Sequence, residues 1–220
     1  MRHLRLTRQE SRNQTRQRLC DSAQAVFMKK GFAAASVEDI VKAAGYTRGA
    51  FYSNFHNKVE LLLELLRRDQ ETIRAVLHKI SGEGATREEM EARVLDYYGK
   101  LNHDRKHCLL WMEAKLLATR DGRFRVCFNV FLHEKLEQLS AYVREFSARA
   151  GTPLPMHAET LAIGLMGLLD GVRFYHVLDP LHVTEHVAES VLSEFFARVV
   201  LGRRAERADD AAPILRKPIC

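Results

Sequence analysis

The sequence predicts an all-α protein, and three observations carry that prediction. Apolar residues recur at i, i+3, i+4 and i+7 through most of the chain. Only five prolines and twelve glycines interrupt 220 residues, and runs that alternate apolar with polar residues are few, so long helices are favoured over sheet. A hydrophobic content of 46% with 28% charged residues is ordinary for a globular protein with a sizeable core, and the length suits one or two domains.

Residues 1–12 alternate arginine with polar residues and carry no apolar stripe, which reads as a mobile basic arm able to track phosphate or a minor groove. From Asn13 to Lys30, Leu19, Ala23, Val26 and Phe27 mark a helix that Gly31 ends. Cys20 adjoins that apolar face as a small packing residue. Ser36 then stands as N-cap before Val37, Ile40, Val41 and Ala44, with Asp39 where a capping-box acid belongs. Gly45 follows the last periodic residue, where a left-handed cap favours glycine, and Thr47 caps a second short helix, RGAFYSNF. Two short helices joined by a tight turn over residues 36–55 are a helix-turn-helix.

In the second helix Phe51 and Phe55 lie one turn apart and pack inward, so Arg48, Gly49, Tyr52 and Asn54 face outward. Such a face offers hydrogen-bonding groups to base edges, while flanking hydroxyls, amides and lysines hold phosphates. Asn57 and Glu60 bracket a third helix start with Lys58 in its first turn. A cation there opposes the helix dipole, and an external phosphate would account for it. Charge points the same way. Residues 1–58 hold eleven Lys/Arg against four acidic residues, a net +7, whereas the remainder holds 23 against 24. A basic head on a neutral body suits a polyanion partner. The expected DNA contacts are Arg48 on base edges, Thr47, Tyr52 and Lys58 on phosphates, and Ser36, Gly49 and Asn54 around them.

The set Gly45, Thr47, Tyr52, Phe55 and Lys58 resembles the TetR family of bacterial transcriptional regulators, and the resemblance covers about a quarter of the chain, from roughly Thr15 to Leu66. Tyr46 departs from the small aliphatic residue usual there. The resemblance implies a DNA-binding domain over 13–58, a helical effector-binding and dimerisation domain over 59–202, double-stranded operator DNA and a small-molecule effector as partners, and dimerisation through the last two long helices.

Beyond Asn57, one apolar stripe from Val59 to Ile80 predicts a single long helix linking head to body. Further helices are expected from Thr86 to about Leu101, His103 to Arg120, about Phe124 to Arg149, His157 to Leu178 and about Thr184 to Leu201. Trp111, Phe124, Phe128, Phe131, Phe174 and Tyr175 are candidate lining for an apolar effector pocket. Gly167, Gly171, Leu192, Phe195, Phe196 and Val199 are candidates for a four-helix seam across a two-fold axis. From Arg203 the chain turns charged and is expected to be a disordered tail.

Other chemistries have weaker support. His182, Glu185 and His186 fit the H-x-x-E-H spacing of a metal-dependent hydrolase, but Pro180 and a cap at Thr184 put His182 outside the helix the motif needs. No phosphate-binding glycine loop or G-x-S-x-G motif occurs, so neither an enzyme nor a cofactor is expected. Four cysteines without a C-x-x-C pair suit reduced thiols; Cys108 and Cys127, on consecutive helices, are expected to be two inert buried thiols, with a redox bridge between them the alternative if their Cα atoms lie within about 7 Å. No stretch approaches the roughly 20 apolar residues of a membrane span, and Arg2 to Arg18 is too polar for the core of a signal peptide, so a cytoplasmic protein is expected. The expectation is a regulator released from a palindromic operator by its effector, the alternative a constitutive DNA-binding protein without one.

Overall fold

The computed structural model describes residues 7–80, 86, 88–89, 92–93, 96–97, 105–200 and 202. Among them the regular structure is helical, in the order α1 (Arg8–Lys30), α2 (Val37–Ala44), α3 (Arg48–Tyr52), α4 (Lys58–Ile80), α5 (Arg105–Arg120), α6 (Gly122–Ala150), α7 (Ala158–Leu178) and α8 (Glu185–Val199).

Helix α1 starts earlier than its apolar stripe. Thr7 accepts from the Glu10 N–H at 3.2 Å while the Glu10 carboxylate accepts from the Thr7 N–H at 2.7 Å, a reciprocal capping box that satisfies two donors at the helix start. Residues 8–12 are therefore helix rather than mobile arm; polar residues extend the helix along solvent, where no stripe is needed. The first six residues of the expected arm lie outside the described residues. Gly31, at φ 77°, ends α1 and donates to Phe27 O at 2.8 Å.

The long helix α4 runs unbroken over the span the stripe predicted. Thr86 and Glu89 bond reciprocally, at 3.1 and 3.2 Å, which places a cap at the expected start of the Thr86 helix. Residues 88–89, 92–93 and 96–97 are helical, and the rest of that helix, like the expected tail from Arg203, lies outside the described residues. Asp121 separates α5 from α6 by accepting from the Arg123 and Phe124 amides at 2.8 and 3.1 Å. Thr184 caps α8 through the Val187 N–H at 3.3 Å.

The chain forms two compact units, residues 1–71 with 109–131, and residues 72–108 with 132–220. In the first, Leu19, Ala23 and Phe27 of α1, Ile40 and Val41 of α2, Phe51 and Leu61, Leu62 and Leu66 of α4 share one core with Leu110, Trp111, Ala114, Phe124 and Phe128. In the second, Tyr142, Val143 and Phe146 of α6 pack with Leu161 and Leu165 of α7 and with Phe196 and Val200. A boundary at residue 58 therefore does not divide the cores. Large apolar side chains of α5 and early α6 complete the core of the unit that carries the helix-turn-helix, and α4 and α6 each contribute to both units.

Helix α7 is more apolar on average than its sequence suggests residue by residue. It is long and apolar enough to cross a membrane by length and composition alone, a test that the core helix of a globular protein also passes. Its glycines, Asp170 and Arg173 break up the run when the sequence is judged residue by residue, yet they leave the average apolar.

Candidate nucleic-acid interface

Short helices need external support, because nucleating one turn costs more than its first hydrogen bonds return. For α2 that support is local. Ser36 Oγ accepts from the Asp39 N–H at 3.1 Å and donates to Asp39 Oδ2 at 2.8 Å, and the same carboxylate accepts from the Ser36 N–H at 3.0 Å. Lys30 adds a charge-assisted bond to Asp39 at 2.5 Å. These contacts, the Lys30 bond foremost, pull the Asp39 pKa down to about 2.

At the other end Gly45 takes a left-handed conformation, φ 70° and ψ 30°; its N–H donates to Lys42 O at 3.3 Å, and that of Tyr46 to Val41 O at 2.9 Å. The pair is a Schellman turn, whose second residue packs back on the helix it closes. Tyr46 does so, lying partly buried against the first core, which gives a physical role to the residue that departs from the family pattern.

Thr47 then caps α3 through the Ala50 N–H at 3.2 Å. The helix is only five residues long and is anchored by Phe51, fully buried, with Phe55 buried one turn on and the two rings 5.9 Å apart. Anchoring this face turns Thr47, Arg48, Gly49 and Tyr52 to solvent. Arg48 pairs with Glu38 at 2.8 Å and lies 5.9 Å over the Tyr52 ring. A hydrogen bond to Tyr52 and the charge of Glu38 raise its pKa further above an already high value. All these groups are exposed, so the guanidinium can trade its surface partners for a base edge.

Three other expected contacts are engaged within the fold. The Ser36 hydroxyl is committed to the cap. Asn54 turns its amide back on α3, donating to Ala50 O at 2.8 Å, with its Oδ1 buried; α3 ends at Tyr52, so Asn54 no longer follows the outward helical face. Lys58 donates to the carbonyls of Phe32, Ala33 and Ala35 at 2.8, 3.1 and 2.9 Å and sits 4.6 Å from the Phe32 ring centroid. Burial lowers its pKa. The partial negative charge that offsets the lysine at the helix start is thus internal, on the carbonyl oxygens of the α1–α2 turn, and spacing in the sequence gives no sign of a partner some 25 residues upstream.

The candidate pocket residues are shared between the two units. Trp111, Phe124 and Phe128 are buried in the first core, with Phe131 packed against it, and Trp111 Nε1 donates to Asp69 at 2.7 Å. Phe174 and Tyr175 are exposed residues of α7 in the second unit. Aromatic composition marked a core as readily as a cavity.

The candidate seam divides too. Leu192 and Phe196 are buried within their own unit, the Phe196 ring 5.8 Å from that of Phe146. Phe195 is exposed, Val199 is half-buried, and the space a Cβ would enter at Gly167 and Gly171 is open. Ile163, Phe174, Tyr175 and Leu178 add exposed apolar surface to α7, and sequence reasoning missed Ile163 and Leu178 although their spacing from Gly167 and Gly171 places them along the helix.

His182 lies in the turn before α8, its ring 2.8 Å from Asp179, whereas Glu185 and His186 open the helix. The H-x-x-E-H residues therefore do not share one helix face. Among the described cysteines Cys20 and Cys108 are buried and Cys127 is exposed, and burial raises the Cys20 pKa.

Comparison with known proteins agrees with this geometry. Residues 19–65 match the bacterial regulatory proteins of the tetR family, and residues 85–201, more than half the chain, match the C-terminal domain of BetI-type transcriptional repressors. The transcriptional regulator TtgR of Pseudomonas putida is 41% identical over 69 residues, 31% of this chain and 32% of that protein. AcrR of Shigella flexneri is 43% identical over 61 residues, 28% of each. The matched segment thus spans about a third of the length of these relatives. Among solved structures, the fatty acid degradation regulator FadR of Bacillus halodurans superposes with a TM-score of 0.72 at 20% identity, covering 87% of this chain and 97% of that one. A putative regulator from Saccharomonospora viridis in complex with choline gives 0.71 at 19% identity, covering 84% and 96%. FadR of Bacillus subtilis in complex with stearoyl-CoA gives 0.68 at 21% identity, covering 86% and 99%. With an N-terminal helix-turn-helix and a helical body that both match, the chain belongs to the TetR family of bacterial transcriptional regulators.

Proposed function

We propose that this regulator is a homodimeric repressor that binds a short inverted repeat and is released by a small-molecule effector. The outward face of α3 carries the reading: Thr47, Arg48, Gly49 and Tyr52 stand exposed on a helix whose opposite face is locked into a core. Arg48 reads a base edge, while Thr47 and Tyr52 hold phosphates on either side of it. Lys58, Ser36 and Asn54 act one step back, by holding the unit's shape.

Two copies pair through α7 and α8, placing the exposed apolar residues Ile163, Phe174, Tyr175, Leu178 and Phe195 against their equivalents, with Gly167 and Gly171 allowing close approach. This gives the apolar face of α7 a protein partner in the cytoplasm in place of lipid. An effector releases the operator only by binding better to the dimer whose heads are wrongly spaced. Operator DNA must then weaken effector binding by the same factor.

The neighbours' ligands, choline and stearoyl-CoA, share little chemistry, so the effector is best sought among molecules that co-purify, by mass spectrometry of the denatured protein. The DNA reading is tested by selecting duplexes from a randomised pool with the purified protein. Enrichment of an inverted repeat whose half-sites lie on one face of the duplex supports it. Recovery of unrelated sequences at equal affinity would overturn it.

A further inference from the structure

We propose that Arg16, by charge one of the cations of the basic head, is a positioning residue that sets the angle of the reading helix. Its guanidinium meets three elements at once. Nη2 donates to Glu64 Oε2 of α4 at 2.9 Å, Nη1 donates to the backbone carbonyl of Asn54 just past α3 at 2.8 Å, and the guanidinium carbon lies 4.2 Å from the Phe55 ring centroid. Arg16 itself stands on α1.

Glu64 is built to hold it. The carboxylate is only 7% exposed and receives Arg68 Nε on Oε1 at 2.8 Å, with Arg67 also against Oε2. Arg68 reaches back to Gln17 Oε1 on α1 at 2.5 Å. A carboxylate this buried is retained only when paired and hydrogen-bonded. Arg16 is thereby drawn off the surface, its side chain 28% exposed.

The consequence falls on α3. A five-residue helix cannot hold its own direction, and the carbonyls at its C-terminal end carry partial negative charge that a cation stabilises. Phe51 of α3 and Phe55 just past its end fix how deep α3 sits, and its rotation about their line is left to the contacts at its C-terminal end. The Arg16 bond to the Asn54 carbonyl, with Glu64 as fixed anchor on α4, removes that rotation. A planar fork that stacks on a ring and spans two acceptors is chemistry lysine lacks.

This inference rests on the DNA-binding reading, and the experiment separates their failures. The probes are the tightest duplex that the parent protein selects from a randomised pool and a scrambled duplex of the same length. Arg16→Lys, which keeps the charge, is expected to lower the preference for the selected duplex by roughly ten-fold or more. Affinity for the scrambled duplex and its salt slope should stay at the parent value. Glu64→Gln, which keeps shape and removes the anchor's charge, is expected to show the same pattern, so the test survives if one variant melts below the assay temperature. Arg67→Ala, which loses a contact to Glu64 but none to Asn54, is expected to keep the parent's preference.

Arg16→Lys with unchanged preference would overturn the proposal. So would equal losses on both duplexes in Arg16→Gln, with a salt slope shallower by about one unit, the signature of a phosphate contact. A comparable loss of preference in Arg67→Ala would also overturn it. A parent protein that selects no duplex at all fails the DNA reading instead.

Discussion

Two cations one helix apart, Arg48 and Lys58, have opposite fates in the fold, and the difference is set by what surrounds them. Arg48 has only surface partners, Glu38 and Tyr52, which compete weakly with a base edge. Arg48→Ala is expected to relax preference at one base position by roughly 5- to 150-fold and to change affinity for scrambled duplex little. Competition titrations with single-base variants of the selected duplex check it, and equal losses on every duplex would remove Arg48 from base reading. The Lys58 ammonium instead has three carbonyl acceptors and a ring face. Lys58→Ala is expected to destabilise the protein by about 1 to 3 kcal/mol. Denaturant unfolding would show it as a lower midpoint, and an unchanged midpoint with weakened binding to every duplex would return Lys58 to the phosphate backbone. Sequence carried the identity of Arg48 as an outward residue because Phe51 and Phe55 fix the helical phase. It did not carry the partners of Lys58 or Arg16, since those contacts cross 23 to 48 residues and depend on packing no local pattern encodes.

Helix ends were the most legible elements. Ser36 with Asp39, Gly45 and Thr47 each have a stereochemical task that few residue types perform, and each does it. Stripe-based reasoning did less well where a helix lies in solvent, as at residues 8–12 of α1, or where an aromatic cluster has two equally apolar fates, as for Trp111, Phe124 and Phe128. The α2 cap also makes a pH prediction. Asp39 has its pKa lowered from 3.8 to about 2 in the folded protein by its bonds to Lys30 and Ser36. A depressed carboxyl pKa contributes stability that is fully present above the unfolded value, near 4, and is lost as pH falls through the folded value. Stability of the helix-turn-helix unit should therefore drop between about pH 4 and pH 2, and part of that drop should vanish in Asp39→Asn, which lacks the titrating group. Thermal melts followed by circular dichroism across that window measure both. An acid profile identical in the two proteins would mean that Asp39 keeps its ordinary pKa.

At the scale of the whole molecule, α7 and α8 pose the question of what covers their outer faces. Helix packing within the second unit uses Leu161, Leu165, Leu192 and Phe196, which leaves Ile163, Phe174, Tyr175, Leu178 and Phe195 in solvent. Exposed apolar side chains aligned along two neighbouring helices exceed what scattered surface residues account for, and a symmetric partner offers each of them an equivalent surface. Residues 163 and 195 separate the proposed interface from the core, because neither is needed inside. A double variant, Ile163→Glu with Phe195→Glu, is expected to sediment as a folded monomer with the parent's far-ultraviolet spectrum. It should also lose the selected inverted repeat, since one head contacts only one half-site and forfeits the joint binding of the second. Phe196→Glu is expected to behave differently: a charge placed against Phe146 in a packed core carries a desolvation cost without a partner, so it should lower the melting temperature rather than yield a stable monomer. Analytical ultracentrifugation and circular dichroism on the two variants distinguish the cases. A double variant that still sediments as a dimer would put the two-fold axis elsewhere on the molecule, and a parent that sediments as a monomer at micromolar concentration would leave the apolar face of α7 to another partner.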